Sequence, residues 1–352
     1  MADYIAIDCG KYNTKVDAYD GTNEKQFAFR TKFSEGTFDD DMVGKGSYVV
    51  QIDDGPVYKI GFKGRIAPDM EDSKKTDIHR VCSLAAAAIA LGDGEHMDVH
   101  AAIGMPVSKI DIVKERKEYK DFIFGEDGVT HNITYMGDDL VKHSVSLRFT
   151  VRNVYPEGIG VVYEHSKKCG GQVGVIDIGN LNVNALYVNA GIPEDDMCFT
   201  DKGGGNEIMD SLANELTRLL GSTVTPNIVA QALLLPTRPG RTYADRHLVT
   251  AGGKNKEAET KSKEIIDREL RNHVESIRAK CKSIGKWPLD FMNIVFVGGT
   301  TALLQKELRE CFGENCFIPD DPAFENARGF LKLLCRADGI RIHEEEEKAK
   351  KV

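Results

Sequence analysis

Two short stretches set an aspartate two residues ahead of a glycine, each at the end of an apolar run. In the first, Ile5 and Ile7 lead into Asp8-Cys9-Gly10, with Asn13 and Lys15 just beyond. In the second, Val173 to Ile176 leads into Asp177-Ile178-Gly179, with Asn180 and Asn182 beyond. These residue types suit a phosphate ester carrying Mg2+. Glycine lets the backbone approach phosphate oxygens closely. A carboxylate holds the waters around Mg2+, which takes few direct protein ligands. Lys15 has the reach to touch a β- or γ-phosphate. Each Asp-x-Gly alone is as well explained as an ordinary turn; their recurrence 169 residues apart in the same setting gives them weight. Solenoid repeats have periods of roughly 20–50 residues, so this spacing implies two related domains instead.

Other groups are weaker signals. Gly298-Gly299-Thr300 follows the apolar stretch Asn293 to Val297 and opens a helix. Helix N-termini collect anions there, although a tight strand-to-helix turn explains the same residues. Gly203-Gly204-Gly205, ahead of a helix beginning at Asn206, is ambiguous in the same way. Glu157, after Pro156, reads by itself as an exposed loop acid. The GxxxxGK[ST] pattern of P-loop enzymes does not occur. His96 and His100 are four apart, but Val99 to Ile103 reads as strand, where that spacing makes a poor metal site. The 8 cysteines form no CxxC pair and read as free thiols of a reducing cytoplasm.

Periodicity supplies the elements that would carry these groups. Tyr4 to Asp20 reads as a hairpin, as does Tyr48 to Ile60 around Asp53-Asp54-Gly55. Helices are predicted over Asp77 to Ala90, Ile110 to Glu118, Asn206 to Leu220, Pro226 to Leu235, Ala302 to Cys311 and Ala323 to Arg336. Strands are predicted at Val99 to Ile103 and within Asn132 to Arg152. A long helix over Glu257 to Ser283 places Ile266, Leu270, Val274, Ile277 and Cys281 on one face. Pro236 to Asn255 reads as loop, and the charged tail from His343 to Val352 is assigned no role. The chain has 352 residues, 41% hydrophobic and 29% charged, with a net charge of -9. No basic stripe offers a direct grip on nucleic acid. No secretory signal opens the sequence, and the apolar block Leu84 to Leu91 is too short to span a bilayer. A cytoplasmic protein is expected, with no membrane partner.

The order of these blocks resembles the plasmid-segregating bacterial actins of the ParM/StbA type, in the actin-like ATPase superfamily. IDCGKYNTKV looks like their first phosphate loop and VIDIGNLNVN like the second. IGMPVS (103–108) is similar to their strand-end motif, and VYPEGIG (154–160) to the Pro-Glu connecting segment. VFVGGTTALL (295–304) resembles the adenosine motif, and FENARGFLKL (324–333) the closing connecting helix. No block is specific alone; the order is. The second loop departs from the family by carrying Asn180, Asn182 and Asn184 where hydroxyl residues and a further aspartate are usual.

The resemblance implies an α/β, actin-like ATPase fold: two duplicated α/β domains around a nucleotide cleft, each with a smaller inserted subdomain. Domain I would span 1–168, with an insertion at about 33–74 and helix 323–340 returning to it. Domain II would span 169–322, with an insertion at about 206–284. Asp8 and Asp177 would organise Mg2+, in the main through water, and Glu157 would orient the attacking water. Gly10, Lys11, Tyr12, Asn13, Lys15, Gly179, Asn180 and Asn182 would line the phosphates. Gly203, Gly204, Gly205 and Asn206, with Gly298, Gly299 and Thr300, would flank base and ribose. The implied protein hydrolyses ATP, or GTP, and self-associates into filaments. It would move plasmid DNA through a DNA-binding adaptor protein. A small-molecule kinase and a non-polymerising nucleotide sensor of the same superfold remain as alternatives.

Overall fold

The computed structural model describes residues 2–38, 44–68, 74–233, 246–248 and 255–342. The expected 236–255 loop, apart from 246–248 and residue 255, and the 343–352 tail lie outside them, as do parts of the 33–74 insertion. The chain forms two compact units, Met1–Lys168 with Phe324–Val352, and Cys169–Ala323.

The first unit is built on a nine-stranded sheet. Its strands are β1 (Asp3–Cys9), β2 (Asn13–Tyr19), β3 (Glu24–Arg30), β4 (Phe33–Glu35), β5 (Ser47–Ile52), β6 (Val57–Gly61), β7 (Gly94–Met105), β8 (Thr130–Met136) and β9 (Lys142–Pro156). They lie in the order β3-β2-β1-β7-β9-β8-β5-β6-β4. β1 is antiparallel to β2 and parallel to β7, which is parallel to β9. The helices are α1 (Asp77–Leu91), α2 (Val107–Ile110), α3 (Val113–Phe124), α4 (Gly160–Glu164) and, from the C-terminal return, α9 (Glu325–Ala337). The alanine run makes α1 buried along nearly its whole length, because small side chains let the helix lie close to the sheet. It stops at Gly92, whose φ of 81° is readily adopted by glycine.

The second unit repeats the arrangement. Its strands are β10 (Gln172–Ile178), β11 (Val183–Asn189), β12 (Ile192–Pro193), β13 (Phe199–Asp201), β14 (Asn293–Val297) and β15 (Cys316–Phe317), with α5 (Gly205–Leu220), α6 (Pro226–Leu233), α7 (Lys256–Ser283) and α8 (Thr301–Phe312). The sheet order is β12-β11-β10-β14-β15, with β13 paired to β11. β10 is antiparallel to β11 and parallel to β14, which is parallel to β15. The path β2-β1-β7-β9 of the first unit therefore recurs as β11-β10-β14-β15. Helix α7 buries Ile266, Leu270, Val274, Ile277 and Cys281, the face expected from their spacing. Each large aliphatic side chain so buried contributes roughly 1.5–3 kcal/mol. The Asn255 side chain caps the helix by accepting the Ala258 N–H.

Two expected elements shift. The Ile110–Glu118 helix is split: α2 ends at Ile110, and α3 begins at Val113 and runs to Phe124, capped by Gly125, where φ is 80°. The strand at Val99 starts five residues earlier, at Gly94, because Gly94, Glu95 and His96 still pair with β9 ahead of an irregularity before Val99. His96 and His100 both lie on it and bond to Asp3 and Asp338. No described helix is long and apolar enough to cross a membrane.

Candidate functional site

In the first unit, β1, β7 and β9 are adjacent and parallel, and their carboxyl ends meet. Ligands of open α/β sheets bind outside such strand ends. Asp8 lies near the end of β1, and Glu157 directly follows β9, its N–H donating to the Met105 carbonyl at the end of β7 (2.9 Å). Asp8 and Glu157 are both buried, at 4% and 8% exposure. Glu157 is thus not the exposed loop acid that its sequence setting alone suggests. The Lys15 ammonium, opposite Asp8 in the β1–β2 register, donates to Asp8 Oδ2 at 2.9 Å. Burial works against ionisation of Asp8, but the Lys15 and Lys74 charges and hydrogen bonds from Lys15 and Asn326 hold its carboxyl below the ordinary range.

Two members of this cluster are missed by the sequence reading. Lys74 is buried and donates to Glu157 Oε1 in an ion pair. Burial alone would lower its affinity for the proton, yet the Glu157 carboxylate, backed by Asp8, holds it above the ordinary lysine value. In sequence it sits in the charged run Glu71-Asp72-Ser73-Lys74-Lys75, which reads as a solvated surface. Asn326, at the start of α9, hydrogen-bonds Asp8 and accepts the Gly158 N–H at 2.8 Å. Its signal was the FENARG motif, matched as a connecting helix without a role for the asparagine. The same motif supplies Gly329, which lies against Gly160 of α4. A Cβ added at Gly329 would come 2.2 Å from the Gly160 carbonyl oxygen. Only paired glycines allow these two backbones so near, and that approach brings Asn326 to the Glu157 turn.

The loop tips behave alike. The Gly10 N–H donates to the Asn13 carbonyl at 3.0 Å, and the Gly179 N–H to the Asn182 carbonyl at 2.9 Å. A Cβ on either glycine would lie 3.1 Å from that same oxygen. These glycines close the turn themselves, which leaves Lys11-Tyr12 and Asn180-Leu181 at the tips. Tyr12 is 44% exposed, with the Arg30 guanidinium over its ring. Asp8 faces Lys15 across the first hairpin, whereas Asp177 faces Asn184 across the second. The amide cannot supply the cationic partner that Lys15 provides.

In the second unit, Asp177 is buried at 6% exposure near the end of β10, beside β14. The glycine runs expected to flank base and ribose first serve to brace this loop. The N–H groups of Gly204, Gly205 and Asn206 donate to the carbonyls of Leu181, Gly179 and Asn180 at 3.1, 3.0 and 2.7 Å. Thr300 donates its N–H to the Ile178 carbonyl and its hydroxyl to that of Gly179. Gly298, at φ 92°, sits so close to Asp177 that a Cβ would lie 2.3 Å from Oδ1. Gly203 lies in the turn before α5, where its backbone hydrogen-bonds His273 of α7. Open space surrounds Gly299, and Asn182 Oδ1 is buried with no partner among the described residues. Such an oxygen is costly to leave unpaired and suits a donor from a ligand or its water. No trio of metal-binding side chains occurs among the described residues. Asp8 and Asp177 are each a single carboxylate at a strand end of its own unit, and a lone carboxylate suits Mg2+, which takes few direct protein ligands.

Residues 6–160 match the family model described as actin like proteins N terminal domain. No curated protein matches the chain in sequence. Among solved structures, the archaeal actin homologue Ta0583 superposes with a TM-score of 0.73 at 18% identity, covering 95% of this chain and 99% of its own. Its complex with ADP gives 0.70 over the same shares. A 15-stranded ParM filament from Clostridium botulinum gives 0.71 at 18% identity, again over 95% and 99%. The Alp12 filament gives 0.68 at 21% identity over 96% and 99%. Strand ends, repeated loops and these superpositions agree: the chain as a whole has the actin-like fold that the Ta0583 and ParM structures share, and its residues 6–160 resemble the N-terminal domain of actin like proteins.

Proposed function

We propose that the protein binds and hydrolyses a nucleoside triphosphate, ATP or GTP, and that the nucleotide state drives its assembly into filaments. The observation that carries this is the duplicated turn: Asp8-x-Gly10 and Asp177-x-Gly179 close with the same glycine-to-asparagine bond at equivalent strand ends of two similar sheets. Each loop is a phosphate-binding element of its own unit in this reading. Solved relatives of the fold support it, since one is a complex with ADP and others are filaments.

Phosphoryl transfer asks the protein chiefly to position groups and to stabilise charge. Lys15 leaves Asp8 in part to contact phosphate oxygens, and Lys11 and Asn13 line the same loop. Asp8 and Asp177 would hold Mg2+, which would supply positive charge against the phosphate oxygens. Glu157 accepts a hydrogen bond from the attacking water and orients it. Gly299 and the Gly203 turn receive the nucleoside. Head-to-tail contacts between identical subunits do not close on themselves and so build filaments. With a net charge of -9, the filament reaches plasmid DNA through a basic adaptor protein instead of gripping it directly.

The test is sedimentation across a protein concentration series. The critical concentration should be at least tenfold lower with a non-hydrolysable triphosphate than with diphosphate, a difference of about 1.4 kcal/mol in contact free energy. Equal critical concentrations would reject nucleotide-driven assembly.

A further inference from the structure

We propose that Lys74 is a positioning residue for hydrolysis: its buried ammonium fixes the Glu157 carboxylate at the end of β9 and couples it to Asp8 at the end of β1. The inference rests on the reading of Glu157 as the group that orients the attacking water.

A lysine is rarely buried unless its charge is matched. Here the side chains of Lys74 and Glu157 retain only 8% and 11% of their exposure. A pair so enclosed differs from the many surface ion pairs that contribute little. Its neighbour gives the contrast: Lys75 pairs with Glu118 at 2.7 Å, but both are more than a third exposed. Other groups around Lys74 are arranged for one cation. Asp8 favours its charge. His79, fully buried in the first turn of α1, is pushed down to about 3 by burial and by the Lys74 and Lys11 charges, so it adds no second cation at neutral pH.

The stem of Glu157 is confined as well. A Cβ on Gly104 would lie 3.3 Å from Glu157 Cγ and 3.1 Å from the Phe330 ring, so the strand end, the ring and the acid are in close packing. Lys74 then sets where the carboxylate head points. Displacement of a positioning group by about 1 Å can cost ~100-fold in rate. No described feature of Lys74 requires that it touch the nucleotide, and that separates its expected effect from that of Lys15.

The experiment measures single-turnover hydrolysis, affinity for a non-hydrolysable triphosphate and Tm in Glu157→Gln, Lys74→Met, Lys74→Arg, the double variant Lys74→Met/Glu157→Gln, and Lys75→Ala. Glu157→Gln should slow hydrolysis ~100-fold and Lys74→Met ~10- to 100-fold, each with affinity within about threefold of wild type. Lys74→Arg should recover most of the rate, and Lys75→Ala should match wild type. In the Glu157→Gln background Lys74→Met should cost nothing further, because the lysine acts through the acid. A structural role alone would lower Tm and multiply the two rate losses, and that result overturns the proposal. So would wild-type hydrolysis in Lys74→Met, or a loss of affinity that matches the loss of rate. If Lys74→Met does not fold, the double variant, which removes both buried charges, is compared with Glu157→Gln: equal rates support the proposal and a slower double variant overturns it. Wild-type hydrolysis in Glu157→Gln would reject the reading of Glu157 itself, whereas a slow Glu157→Gln beside a normal Lys74→Met rejects the role of Lys74 alone.

Discussion

The side-chain oxygen of Asn326 accepts the Gly158 N–H at 2.8 Å, across 168 residues of sequence. One bond thus ties the returning helix α9 to the turn that carries Glu157, and the same side chain reaches Asp8. The fold uses its last described helix to register the two acids of the first unit. Asn326→Ala strands a buried N–H, at a cost of about 1–3 kcal/mol. A lower Tm together with at least a tenfold slower hydrolysis is expected. Calorimetry and a phosphate-release assay check it, and a purely thermal effect would leave the asparagine a structural role only.

Glu157→Gln should let filaments form and persist, because assembly follows nucleotide binding while disassembly follows hydrolysis. Glutamine keeps the shape of the side chain, whereas Glu157→Ala leaves the Lys74 charge buried without its partner, a destabilisation of about 3–5 kcal/mol. Sedimentation over time, read beside phosphate release, is the measurement. Phosphate release at the wild-type rate would remove Glu157 from the mechanism.

Asp8→Asn and Asp177→Asn should each weaken Mg2+-nucleotide binding by at least tenfold. If both loops hold one nucleotide, the double variant will lose less than the product of the two single losses, with an interaction of about 0.5–3 kcal/mol. Titration calorimetry with Mg2+ and a triphosphate analogue supplies the cycle. Strict multiplicativity would argue for independent action by the two aspartates.

Gly298→Ala tests the second loop without removing a charge. Its Cβ would meet Asp177 Oδ1 at 2.3 Å and the Ile178 carbonyl oxygen at 2.5 Å, at a φ of 92° that side chains rarely adopt. Strain of about 1–3 kcal/mol and loss of nucleotide affinity are expected. Gly299→Ala, which meets nothing within 4 Å, is the control for fold, and its Tm should stay at the wild-type value.

Asp17 on β2 gives the first unit a pH-dependent stability separate from the nucleotide groups. It is fully buried, and burial, followed by the Glu24 carboxyl, pushes it up from 3.8 to about 8. An acid that binds its proton more tightly when folded contributes fully below its unfolded pKa, and that contribution is lost as pH rises through the folded one. Stability should therefore decline between about pH 4 and pH 8 on account of this group. Asp17→Asn should be flatter over that window, with a rising Tm advantage toward pH 8. Parallel Tm curves for wild type and variant would contradict the assignment.

The sequence alone determined the two loops and most of the longer elements, but not strands β3, β13 and β15 or the break between α2 and α3. Ile5 and Ile7 before Asp8, and Val173 to Ile176 before Asp177, specify strands that end in glycine turns, since period and turn chemistry are local. The face of α7 and the alanine helix α1 followed from the same local rules. Asp8 and Asp177 could be singled out because their settings repeat. What surrounds them was decided by tertiary structure. Lys74 stands in a charged run and looks solvated, yet the fold buries it against Glu157. Gly160 and Gly329 look like ordinary helix glycines until their backbones meet. Asn326 reaches Asp8 and Gly158 only because α9 returns to the first sheet. The partner of a buried charge is chosen by topology, across distances that no local period records, and that is why the groups holding the acids in place could be read only from the folded chain.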